Sequence, residues 1–187
     1  MEGWRKWVAL VLLGMIVAVL GYATSIGLYI LSAYKEYFMK QGSFEEEIFI
    51  YSDVATVINL IADYSQHHKI HPLIIGVERG TDPNPGVKRY FITDQLQWGP
   101  FRFKIKYQAD ILSVSEDTVH TEAYQTPNTH ITNLTRITPK DDGVLLHETI
   151  TLKAPNLLFG YAFKQAQTAH REMLKRIKNY IEAQNKI

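Results

Sequence analysis

The sequence predicts an α+β domain behind one apolar N-terminal helix, and three observations predict it. Residues 7–34 contain no charged side chain; residues 44–152 alternate apolar and polar positions between turn residues; residues 155–184 place apolar side chains three and four apart. A chain of 187 residues, 46% of them hydrophobic, suits one core of ordinary size plus an appendage, not two independent domains. Twenty basic and nineteen acidic residues leave a formal charge of +1, so the global basic field of a nucleic-acid binder is missing and no nucleic-acid partner is expected. The absence of cysteine removes disulfides, thiolate metal sites and thiol nucleophiles, and leaves the compartment open.

The segment Trp7–Tyr34 lies between Arg5-Lys6 and Lys35-Glu36. Because about 20 helical residues cross the hydrocarbon core, it is long enough to span a bilayer with tilt. Trp4, Trp7, Tyr29 and Tyr34 fall near its ends, where amphipathic rings favour the membrane interface. A cleavable signal peptide competes, since Gly21-Tyr22-Ala23 supplies small residues at cleavage spacing. Ile26, Leu28, Ile30 and Leu31 continue the apolar run past that point, which favours a retained single-pass anchor in a lipid bilayer. Residues 1–6 then form a tail, 35–43 a polar connector, and 44–187 the folded domain. Arg5 and Lys6 are balanced by Lys35 and Lys40, so the side of the membrane that holds the domain stays open. Gly14, Ala18, Gly21 and Ala23 would suit close contact with the helices of other membrane subunits, or simply face lipid.

Within the domain, Ile48 and Ile50 alternate with Phe49 and Tyr51 in a first strand. Ser52 or Asp53 is placed to cap a helix over 54–64, with Val54, Val57, Ile58, Ile61 and Ala62 facing inward. Residues 65–72 suit a second short helix or turn. A meander follows, with strands near 73–80, 87–95, 101–107, 118–125, 130–137 and 144–152. They are separated by Asp82-Pro-Asn-Pro-Gly86, Trp98-Gly-Pro100, Glu116-Asp117, Pro127-Asn128 and Lys140-Asp-Asp-Gly143. In the clearest strand Phe101, Phe103, Ile105 and Tyr107 share one face, and Arg102, Lys104 and Lys106 the other. The closing helix carries Phe159, Phe163, Ala166, Ala169, Met173, Leu174, Ile177 and Ile181 as a stripe. Its basic residues, Lys164, Arg171, Lys175, Arg176 and Lys178, fit a solvated face or contact with anionic headgroups.

The run from Ile48 to Tyr64 and the step His71-Pro72 ahead of an extended segment are similar to the opening strand, first helix and following turn of the START-like, or SRPBCC, superfamily. That superfamily includes birch pollen allergens, polyketide cyclases and coenzyme Q-binding proteins, and the resemblance covers about residues 44–184. It implies a helix-grip fold: a curved antiparallel sheet of about seven strands around the long C-terminal helix, with two short helices after strand one. It also implies a hydrophobic cavity for a lipid, sterol, quinone or polyketide-like molecule. Candidate wall residues are Tyr90, Phe101, Phe103, Ile105, Tyr107, Ile131, Leu146, Ile150, Phe163, Ala166, Met173 and Ile177. The same side chains would serve equally well to pack a solid core, and their spacing does not choose between the two.

Catalytic and metal signals are thin. His67-His68-x-x-His71 lacks the glutamate of a zincin motif and reads as a surface or capping element. His120, His130 and His147 fall on three consecutive strands and would meet if the registers allowed. Alternation turns Glu148 inward where Leu146 and Ile150 face the core, which makes it the one candidate catalytic group, with Arg136 as a potential partner. Asn133-Leu-Thr135 matches a glycosylation sequon but lies in a predicted strand. No phosphate loop or nucleophile elbow occurs, and neither a metal nor a cofactor is expected. Three functions follow as expectations: a membrane-tethered binding, transfer or chaperone module for a hydrophobic small molecule, a cyclase or aromatase-type enzyme, and an accessory subunit of a membrane complex.

Overall fold

The structure is a computed structural model that describes residue 22 and residues 38–184. The chain divides into two compact units, 1–39 and 40–187, and nearly all of the first, including the expected span over 7–34, lies outside the described residues. Among the described residues no helix is long and apolar enough to cross a membrane.

The second unit is built from β1 (Met39–Ile50), α1 (Val54–Ile61), a 3₁₀ turn (Tyr64–Gln66), α2 (His67–Ile70), β2 (Ile74–Arg79), β3 (Lys88–Trp98), β4 (Phe101–Val114), β5 (Thr118–Gln125), β6 (Thr129–Lys140), β7 (Gly143–Pro155) and α3 (Asn156–Gln184). The sheet order is β1-β7-β6-β5-β4-β3-β2. Strands β2 to β7 form an antiparallel meander, so β1 and β2, neighbours in sequence, occupy opposite edges. The short helices carry the chain from one edge to the other. This is the seven-stranded α+β helix-grip arrangement that the resemblance implied.

Local chemistry sets the boundaries. Of the two capping candidates Asp53 does the work: its carboxylate accepts from the Thr56 N–H at 2.9 Å and the Thr56 hydroxyl at 2.7 Å, and those bonds lower its pKa. The helix expected to reach residue 64 stops at Ile61, because Asp63 takes the Ser65 N–H and hydroxyl and starts a new turn. The connector expected over 35–43 is strand from Met39 onward. Ser43 bonds Thr151 of β7 at 2.8 Å, and Gly42 lets two rings lie on the strand, since a Cβ there would sit 2.9 Å from Phe159 and 3.0 Å from Phe163. Strand β4 runs seven residues past its predicted end, to Val114, with a register irregularity between Ile111 and Ser113 where it meets β5.

Strand β7 alternates without a break, burying Val144, Leu146, Glu148, Ile150, Leu152 and Ala154 on the concave side. Against that side α3 buries Phe159, Ala169, Met173, Leu174, Ile177 and Ile181. The main core joins the C-terminal half of α3 to α1 and to Ile50, Ile92, Ile111 and Leu146; a smaller cluster around Leu152, Ala154 and Phe159 lies at the other end of the helix.

Two glycines make the packing testable with opposite signs. A Cβ on Gly143 would come 2.2 Å from the Ile50 carbonyl, so Gly143→Ala is expected to cost about 2 kcal/mol. Gly160, inside α3 with nothing within 4 Å, should gain up to about 1 kcal/mol as alanine. Urea unfolding of the two variants, read as midpoints moving in opposite directions, checks both contacts.

Candidate functional site

Between the concave face and the N-terminal half of α3 lies a cavity of about 290 Å³. Its origin is compositional. Toward the sheet the helix presents Ala162, Ala166 and Ala169, and the sheet answers with Ala109 and Ala123, so side chains too short to meet leave room between them. Beyond Met173 the helix offers Leu174, Ile177 and Ile181, and there the interior is solid. Ile92, Leu96, Ile105, Ile131 and Leu152 make the remaining wall mostly apolar.

Of the expected wall residues, Phe103, Ile105, Tyr107, Ile131, Ala166 and Met173 line the cavity. The other six do not. Phe101 shares the face of Phe103 but sits at the hairpin tip, 74% exposed. Tyr90 packs on Tyr64, ring centroids 5.3 Å apart, within the solid core. Leu146, Ile150 and Ile177 are fully buried away from the space. Phe163 stacks on Phe159 at 5.2 Å and meets Phe44 edge-on at 5.3 Å, on the flank of α3 toward β1. Alternation fixes the face a side chain takes; it does not fix how far along the groove that side chain lies.

The polar part of the lining gathers around Glu148, which is 2% exposed. Asn133 Nδ2 donates to its Oε1 at 2.8 Å, Thr135 Oγ1 approaches the same oxygen at 3.4 Å, and His170 Nδ1 donates to Oε2 at 2.9 Å. Burial pushes the Glu148 carboxyl up. The charge of His170 and the bonds from His170, Asn133 and Thr135 outweigh it and hold the pKa below the ordinary value. The inward turn expected for Glu148 is therefore present, but its partner is not Arg136, which sits exposed on the other face, opposite His147. Asn133, the first residue of the sequon, spends its amide on Glu148 in the cavity wall, an arrangement that leaves no room for a glycan.

The histidines separate into two groups. His120, His130 and His147 do not meet, because the registers set them opposite Leu134, Tyr124 and Arg136. His130 stacks on Tyr124 and lies 3.5 Å from Glu122, while His147 lies 3.5 Å from Glu45. Of the other four, His67, His71 and His170 line the cavity. His67 is buried, and its Nε2 donates to the Ile61 carbonyl at 3.0 Å; burial pushes its pKa down to about 4, so the ring is neutral at pH 7. His71, pushed well below its usual value by burial and by the neighbouring His170, stands 6.3 Å ring to ring from His170. His68 alone keeps the expected capping role, against the Ser65 carbonyl at 2.9 Å. Among the described residues no group of three or more metal-ligating side chains is arranged to hold an ion.

The main omission from the sequence reading is Asp94, 4% exposed and part of the lining. The Tyr107 hydroxyl donates to its Oδ2 at 3.1 Å, while its Oδ1 is buried with no partner among the described residues. Burial pushes its carboxyl up to about 6, against the pull of Tyr107. A signal existed: Tyr90, Ile92, Asp94 and Leu96 alternate on one strand, which turns the aspartate inward with its apolar neighbours. Tyr64, raised to about 12 by burial and bonded to Thr121, completes the polar patch.

No family model matches the chain. No curated protein matches it by sequence either. Solved structures do match by shape. The di-domain ARO/CYC StfQ from the steffimycin biosynthetic pathway aligns with TM-score 0.65 and 13% identity over 79% of this chain and 52% of that one. A truncated norcoclaurine synthase from Thalictrum flavum aligns with TM-score 0.59 and 10% identity, covering 76% and 94% of the two chains. Ara h 8.0201 gives TM-score 0.55 and 16% identity over 77% and 99%. The chain thus spans about half of the di-domain protein and nearly all of the single-domain ones. At such identities the likeness is one of architecture, and the domain has the START-like, Bet v 1-like helix-grip fold.

Proposed function

We propose that the domain binds a small, largely apolar molecule bearing hydroxyl or amine donors, of polyketide, lipid or reduced-quinone type, between the sheet and α3. The observation that carries this reading is the cavity of about 290 Å³ bounded by the alanine face of the helix. That volume is at the small end of ordinary ligand sites, which are apolar with a few fixed polar groups. The ionised Glu148 and the unpaired Oδ1 of Asp94 supply the acceptors, so a ligand with matching donors gains most. The apolar run over 7–34 extends the proposal to a tethered module that draws its ligand from the bilayer or delivers it there, because a tether raises the effective concentration of cavity and membrane for each other.

A second reading, an enzyme of the cyclase or aromatase type, rests on Asp94. A buried carboxyl with a pKa near 6 is suited to accept a proton at neutral pH, and the Tyr107 hydroxyl is already hydrogen-bonded to it.

The full chain, purified from membranes and extracted with organic solvent, should release a hydrophobic compound detectable by mass spectrometry. Ala166→Phe fills the cavity and should cut recovery at least about tenfold, the loss expected for even a few displaced contacts. Its melting temperature shows whether the fold survives, and Ala162→Leu serves if it does not. Undiminished recovery from a folded, filled variant ends the binding reading. Asp94→Asn separates the two readings: an enzyme loses turnover of the recovered compound by a far larger factor than it loses binding, while a carrier shows no turnover to lose.

The same variant has a pH signature. Folding raises the Asp94 pKa from an ordinary 3.8 to about 6, so the native state holds the extra proton, and this contribution to stability is lost as pH rises through about 6. At about 1.4 kcal/mol per unit, the wild type forfeits about 2 kcal/mol between pH 4 and 7 through this one group. Asp94→Asn should therefore be stabilising near neutral pH and much less so near pH 4, as read from urea unfolding at the two values.

A further inference from the structure

The two ends of the sheet differ in charge. At the end of the sheet that the cavity reaches, where Leu96, Pro127 and Leu158 line it, four stretches come together: the start of β1, the β3–β4 hairpin, the β5–β6 hairpin and the junction of β7 with α3. From Gln95 to Lys104 the chain carries Arg102 and Lys104 and no carboxylate, and from Lys153 to His170 it carries Lys153 and Lys164 and again none. Thr126 to Thr129 has no charge at all. The nearest carboxylates of β1, Glu45 and Glu46, are held by His147 at 3.5 Å and Arg171 at 2.7 Å. The connections at the opposite end contain Asp53, Asp82, Glu116, Asp117, Asp141 and Asp142. The connections at the two ends of the sheet thus differ in sign, although Lys140, Lys175, Arg176 and Lys178 on the flanking strand and helix offset part of the acidic charge at the far end.

Apolar side chains are exposed on the basic end. Leu157, in the first turn of α3, is 94% exposed, and Phe101, at the hairpin tip, is 74% exposed. Their sequence neighbours Leu158 and Phe103 line the cavity, so both stand at its rim. The Tyr161 hydroxyl donates to the Gln97 carbonyl at 3.0 Å and ties the hairpin to the helix. Lys40, which places its ammonium 4.9 Å over the Phe159 ring, fixes the first residue of the domain at this same end. It follows the apolar run by six residues, a reach of roughly 20 Å at most.

We propose that the basic end docks on an anionic lipid bilayer, with Phe101 and Leu157 entering the interface and Arg102, Lys104 and Lys164 meeting headgroup phosphates, so that the cavity mouth opens onto the membrane. Exposed apolar side chains ringed by Lys and Arg are the composition that interfacial binding selects. The proposal rests on the reading of the cavity as a site for a bilayer-borne ligand and names the route by which that ligand enters.

Because the chain has no cysteine, Phe101→Cys, Leu157→Cys and Val114→Cys each give one labelling position. Val114, 45% exposed at the far end of β4, is the control. The full chain is placed in vesicles of phosphatidylcholine with phosphatidylserine, a fluorophore is attached at each cysteine, and quenching by headgroup-nitroxide lipid is measured. Docking predicts strong quenching at 101 and 157 and weak quenching at 114. Arg102→Glu and Lys104→Glu, made in the labelled Leu157→Cys chain, should each lower the docked-to-free ratio roughly fivefold. Equal quenching at all three positions, or insensitivity to both charge reversals, overturns the proposal, and a protein partner for this end would give that result. Alkaline carbonate extraction tests the anchor separately: if it strips the chain, the same quenching ratio measured with vesicles added from outside decides the docking alone. Ligand recovery from Ala166→Phe reports on the cavity independently of both.

Discussion

The contact between α3 and the concave sheet changes character at His170. On its N-terminal side the helix presents alanines and the interior is hollow; on its C-terminal side Met173, Leu174, Ile177 and Ile181 fill the space. His170 stands at the division and bonds Glu148 of β7 at 2.9 Å. A carboxylate 2% exposed is tolerated only when its charge and lone pairs are answered, and here an imidazole, an amide and a hydroxyl answer them. Loss of one partner from such a pair commonly costs 3–5 kcal/mol, roughly. The pair therefore holds the helix at a fixed height above the sheet, and the volume of the cavity depends on that height.

Asp94 and Glu148 solve the same problem in opposite ways. Glu148 is surrounded by donors and stays ionised; Asp94 has one donor, one unpaired oxygen and a pKa pushed up to about 6. The first arrangement stabilises the fold. The second opposes it at neutral pH, and a destabilising polar group retained inside an apolar pocket is the usual mark of a site kept for binding or chemistry.

Much of this architecture was legible before any coordinates. Period-two runs and turn clusters located seven strands, and the stripe from Phe159 to Ile181 gave the final helix almost to the residue. Alternation also turned Glu148 inward. Depth was illegible, because Phe101 and Phe103 obey the same period while only the second reaches the cavity. Cross-strand partners were illegible too: they depend on register, which set Arg136 against His147 and sent Asn133 to Glu148. The extension of β1 back to Met39 was hidden by its polar composition, since an edge strand needs backbone partners more than apolar side chains.

Strand order also bears on how the chain acquires its shape. The first strand lies beside β7, about a hundred residues later in sequence, and the helix that closes the core follows every strand that it covers. No N-terminal fragment that stops short of β7 can pair β1, and none that stops short of α3 can cover the concave face. Such non-local pairing folds slowly, because loop closure precedes the contacts that reward it. During synthesis the greasy inner surface of the sheet must therefore wait uncovered until α3 has been made, a delay that leaves nascent copies dependent on whatever shields them in the meantime.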